Sequence, residues 1–237
     1  MTASTERTGT PDSSDLVALV ATRRAVHGLA EHVLAAEQRR TNRSIKLAVT
    51  PTGLRTAKLP EGSGFALRGA TLYRESDGLA VPLAGPIGAV AAAAGIEFGL
   101  PEPSYTPASQ VGPGDPADVD PAALELLVEA WRYGDEALRR LAAGHGDAGD
   151  APAPALVPIV WPEHLDVSIT LDEVNYGVSP GDAQNPRPYA YVGPHRPHSG
   201  PFWNAPFGAR ALVVEELASA DAVLQFFERG RAETSQD

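Results

Sequence analysis

Three side chains capable of acid–base chemistry fall within one hexapeptide, Trp161-Pro162-Glu163-His164-Leu165-Asp166. From there Leu165, Val167, Ile169 and Leu171 alternate with His164, Asp166, Ser168 and Thr170. That is the two-residue period of a strand packed on one side, and it predicts His164 and Asp166 on a single polar face. An imidazole beside a carboxylate can be a general base held in one tautomer, the start of a divalent-metal site, or a cap at the start of a strand. Glu163 brings a second carboxylate to the same place. Pro162 removes a ladder hydrogen bond and restricts Trp161, so the hexapeptide is expected to enter its strand from a loop or a sheet edge.

Further candidates lie on either side. Arg23 and His27 are four residues apart inside the apolar stripe of the first helix, and a buried arginine requires an anionic partner. They form either an internal pairing or a contact with the acidic groups of the hexapeptide. Tyr189 and Tyr191 share one face of a short strand and can line a cleft with their phenols available to a polar ligand. Asp182, in Ser179-Pro180-Gly181-Asp182, is a turn acid or a third carboxylate brought back beside Asp166. His195 and His198, three apart, could share a metal with His164. No cofactor is identified, and a divalent metal is the only kind the residues suggest. Trp203 and Asn204 lie in the proline-stiffened segment 194–208, which suits a pocket wall or a subunit interface, including that of a homodimer.

The elements expected to hold these residues make an α+β domain. A mainly antiparallel sheet is expected to pack against an N-terminal helix, a central amphipathic helix and a short C-terminal helix. The first helix is predicted from Ser13 or Ser14 to about Gln38, carrying Leu16, Leu19, Val20, Val26, Ala30, Val33 and Leu34 on its apolar side. Strands are expected over 45–49, 54–59, 64–75 and 79–83, and a short helix over 87–94. Residues 97–118 read as a long loop, a lid or a surface wrap. The strongest helical pattern is 121–143, with Asp120 as cap, Pro121 at the first position, and Trp131 on its buried face. Ser219 opens the last helix, and Gly230 is expected to end it. Residues 1–13 read as a disordered lead-in, 14–230 as one domain with a flexible linker near 143–155, and 231–237 as a frayed tail.

Composition narrows the classes of function. With thirty acidic and nineteen basic residues, the net charge of -11 argues against nonspecific nucleic-acid binding. The basic positions Arg39, Arg40, Arg43, Lys46, Arg55 and Lys58 form an anion-binding strip or a soluble sheet edge. The absence of cysteine excludes disulfides and thiolate chemistry. No apolar run is long enough to span a bilayer, and a cytoplasmic location without membrane association is the expectation.

The strings WPEH-L-D, NYG-SPGD, PYAYVGP and FWNAPFG resemble a set of actinobacterial proteins of unassigned function that carry a similar WPEHFD strand and a similar aromatic, proline-rich segment. This resemblance spans about 156–216, with Leu165 where that set has phenylalanine. The N-terminal part through TPTGLRTAKLP is similar, in scattered residues, to a broader bacterial family with a helix before strands. The resemblance implies one integrated domain and carries no reaction, substrate or cofactor. The sequence therefore points to a small-molecule pocket centred on His164 and Asp166, with possible catalysis in which His164 is the general acid or base and Asp166 orients it. The alternative is a noncatalytic binding or structural protein that uses segment 194–208 as an interface.

Overall fold

The computed structural model describes residues 13–101, 105–144 and 156–235. The expected lead-in over 1–12, most of the linker (145–155) and the last two residues lie outside them. The protein is α+β, built on a ten-stranded antiparallel sheet covered by helices.

The first helix is longer than its sequence pattern suggests. α1 (Ser13–Leu29) passes into a π-helical segment (Ala30–Ala35) and then α2 (Ala36–Asn42). Strands β1 (Leu47–Thr50), β2 (Gly53–Thr56), β3 (Phe65–Arg68), β4 (Thr71–Arg74) and β5 (Leu79–Pro82) form a meander, followed by α3 (Ile87–Ala93). The single strand expected over 64–75 is a hairpin, because Gly69 takes a positive φ of 54° and turns the chain. α4 (Pro121–Ala143) opens with the Asp120 side chain accepting from the Ala123 amide, as its sequence predicts. A second meander follows through β6 (Ile159–Trp161), β7 (Asp166–Leu171), β8 (Val174–Ser179), β9 (Tyr189–Pro194) and β10 (Ala209–Leu212), closed by α5 (Ala220–Thr234).

Both halves thus run helix, five-strand meander, helix. They join side by side where Leu47 of β1 pairs with Val160 of β6, giving the order β10-β9-β8-β7-β6-β1-β2-β3-β4-β5. One face is a continuous apolar surface that includes Leu47, Leu54, Leu72, Val160, Val167 and Val178. α4 lies close on it because residue 134 is glycine: an added Cβ would come within 2.7 Å of Val178 and 3.0 Å of Val167. Gly230 plays the same part in α5, where a Cβ would lie 2.6 Å from Val192. This corrects the expected helix end, since Gly230 permits close packing and α5 continues to Thr234.

Two members of the basic strip serve the fold itself. Arg40 donates to the Glu97 and Gly99 carbonyls, and Lys46 sits 5.5 Å over the Trp161 ring. Trp131, fully buried, connects the core to the Trp161–Asp166 hairpin: its Nε1 donates to the Leu165 carbonyl at 3.1 Å. Trp131→Phe keeps a ring in the core but orphans that carbonyl. It is expected to cost about 1–3 kcal/mol, read as a lower urea midpoint with an unchanged slope.

Candidate functional site

The predicted polar face of His164 and Asp166 does not form by strand alternation. Trp161 pairs directly with Asp166, so residues 162–165 are the loop of the β6–β7 hairpin and β7 begins only at Asp166. Leu165 takes a left-handed backbone (φ 56°), which breaks the alternation, and the His164 and Leu165 amides both donate to the Trp161 carbonyl. A four-residue hairpin loop sets these side chains by turn geometry in place of strand alternation. His164 and Asp166 still meet at one cavity, with Asp166 buried and His164 exposed at its mouth.

That cavity, of about 880 Å³, lies on the sheet face opposite α4. Period-two positions of three strands supply its wall: Asp166 from β7, Asn175 and Ser179 from β8, and Tyr189 and Tyr191 from β9, the last two on one face as predicted. The other face of β9 sends Ala190 and Val192 into the core. Gly177 leaves the room that the Tyr191 ring needs, since a Cβ there would stand 2.6 Å from the ring carbon bearing the hydroxyl. The Tyr191 hydroxyl donates to Asp166 Oδ2, while Asp166 Oδ1 is buried without a hydrogen-bond partner. Burial drives the Asp166 carboxyl above its ordinary range, opposed by the Tyr191 hydrogen bond and the nearby His164. Tyr191 is pushed well up by burial and by the Asp166 charge.

α1 crosses the end of these strands and supplies the second wall. Arg23 donates to the Pro186 carbonyl at 2.7 Å and the Asp182 carbonyl at 3.2 Å, with burial lowering its pKa and Asp182 opposing that. His27 Nε2 lies 2.8 Å from the Pro162 carbonyl, which can only accept, so the proton sits on Nε2. The first helix therefore does meet the hexapeptide, through a backbone carbonyl. Asp182 is a turn acid, as one of its two readings had it, and it also lines the same cavity as Asp166. Its Oδ1 accepts the Gln184 and Asn185 amides, and its Oδ2 accepts the Tyr189 hydroxyl at 2.7 Å within the cavity lining.

Glu31 is the functional-looking residue that the sequence reading overlooked. It is fully buried in the π-helical segment, and its two oxygens accept the Ala108 and Ser109 amides at 3.0 Å each. His27 and His32 stand 3.8 and 3.9 Å away. Glu31 thereby anchors the part of loop 97–118 that reaches the cavity, where Ala108 and Ser109 form part of the rim. The spacing Arg23, His27, Glu31, four residues each, was the available signal.

Other candidates lie elsewhere. Trp203 stacks on His198 at 5.0 Å and meets Phe202 edge-on at 5.0 Å, and Asn204 brackets the backbone of Arg210. None of Trp203, Asn204 and His198 lines the cavity, because segment 194–208 folds back towards α5, with Phe202 against Phe226. Phe207 does line it, against the Tyr189 ring. His195 and His164 reach the cavity, but no group of three or more His, Asp or Glu side chains among the described residues is arranged to hold a metal ion. Among the described residues no helix is long and apolar enough to cross a membrane. Comparison with protein-family models, curated proteins and solved structures finds no match to this chain.

His27 and His32 both have lowered pKa values, through burial first, with Glu31 opposing. The unfolded chain takes up these protons near about pH 6.5 and the folded chain only below that. Their contribution to stability is thus complete above about pH 6.5 and is lost as pH falls towards the folded values. Urea midpoints from about pH 8 to about pH 5 are expected to fall more steeply for the wild type than for His32→Gln. Equal slopes would contradict this.

Proposed function

We propose that the cavity takes up a small organic molecule and that Asp166, with His164 at the mouth, moves a proton to or from it. The observation that carries this reading is the hydrogen bonding of Asp166. The buried Glu31 has a donor on each oxygen, and Asp182 has three donors, as structural carboxylates require. Asp166 lines the cavity with one donor, Tyr191, and an oxygen left without a partner. A bound molecule completes such a group.

The chemistry follows from its surroundings. A carboxyl with a raised pKa holds its proton closer to neutral pH and exchanges it with a bound group more readily than an ordinary surface aspartate. Tyr191 holds Oδ2, and Oδ1 is the buried oxygen without a partner. His164, exposed at the mouth, is placed to pass the proton between the cavity and water. The volume falls within the usual range of about 300–1,000 Å³ for small-molecule sites. Tyr189 and Phe207 give one wall an aromatic surface. The interface reading loses support because Trp203 is half-buried against its own chain.

Native mass spectrometry of gently purified protein tests this. The wild type is expected to carry an organic mass that Asp166→Asn lacks while keeping the wild-type circular dichroism spectrum. Identical mass spectra from the two proteins would contradict the reading.

A further inference from the structure

Resting on that reading, we infer that the ligand is a small organic cation, an ammonium or amidinium group on an apolar or aromatic body, whose N–H groups donate to Asp166 Oδ1 and Glu163 Oε2. The cavity's unmet needs point this way. Asp166 Oδ1 and Glu163 Oε2 are both buried atoms without a hydrogen-bond partner, and both residues line the cavity. Each is an acceptor when ionised, the form of Asp166 that a bound cation favours against the effect of burial, and what each then lacks is a donor.

Three of the basic side chains that line the cavity, Arg23, Arg24 and His27, are already engaged. Arg23 is held by two backbone carbonyls beside the Asp182 charge, and Arg24 pairs with Asp115 at 3.2 Å. Asp182 has every donor it needs, so it does not compete for the ligand. His27 spends its Nε2 proton on the Pro162 carbonyl. An anion would meet two buried carboxyl groups while Arg23, Arg24 and His27 are committed elsewhere, leaving only the histidines His164 and His195 of the lining to offset a costly desolvation. A cation would satisfy both oxygens with charge-assisted hydrogen bonds. Its apolar body would then lie against Tyr189 and Phe207, whose stacked rings stand 6.0 Å apart and present faces that also attract positive charge.

A set of probes that share one body and differ in charge tests this directly: tryptamine, tryptophol and indole-3-acetate, titrated into the full-length protein near neutral pH. Isothermal calorimetry reads affinity, and aromatic NMR shifts of Tyr189 and Phe207 read location. Tryptamine is expected to shift both rings and to bind about tenfold more tightly than tryptophol, with indole-3-acetate weaker still. Glu163→Gln and Asp166→Asn are each expected to remove that tenfold advantage, and the wild-type series decides alone if one variant does not fold. Indole-3-acetate or tryptophol binding at the two rings as tightly as tryptamine would overturn the inference and leave the pocket reading standing. If none of the three shifts either ring, the inference and the pocket reading fall together.

Discussion

At Leu165 the backbone takes φ 56°, a conformation that costs a non-glycine residue about 1–2 kcal/mol. It holds because the Trp131 indole donates to the Leu165 carbonyl and because the Leu165 side chain is fully buried, worth about 1.5–3 kcal/mol. The left-handed residue ends the hairpin loop and starts β7 at Asp166, on the face away from α4. Had the strand begun at His164 in plain alternation, the imidazole would lie beside the carboxyl on the sheet. The turn instead separates them into a buried acid and an exposed histidine at the mouth.

Around that acid several contacts hold the cavity walls in place. Gly177 gives the Tyr191 ring its space, Arg23 ties the 180–188 loop to α1, and His27 ties α1 to the hairpin loop. Glu31 then fastens Ala108 and Ser109 along the rim. Because Glu31 and Asp182 are fully hydrogen-bonded, they stabilise the walls. Asp166 and Glu163 keep bonding capacity that the fold does not use. On the α4 face of the other half of the sheet, Val26, Leu54, Leu67, Leu124 and Trp131 pack so closely that only about 10 Å³ is left between them.

Local periodicity made much of this legible in the sequence. Tyr189 and Tyr191 shared a face because β9 is regular, and Asp120 with Pro121 marked the start of α4. Arg23 and His27 lay together at helical spacing, and the same spacing extended to Glu31 would have exposed the buried carboxylate. What failed was governed by turns and by distant pairing. Nothing in Trp161–Asp166 announces that a leucine will be left-handed. Irregular backbone in 194–208 directs Phe207 to the cavity while Trp203 and Asn204 serve the loop, and no period encodes that difference. The pairing of β1 with β6 joins residues more than a hundred positions apart, beyond the reach of any local pattern.

The chemistry proposed for the cavity depends on Asp166 being a buried carboxyl that keeps its proton above the ordinary carboxylate range. A pH titration followed by the carboxyl carbon resonance of Asp166, assigned by comparison with Asp166→Asn, measures this. The expected midpoint lies above the usual value of about 3.9 and moves downwards when a cationic ligand fills the cavity. A midpoint at or below the usual value in the free protein would contradict it.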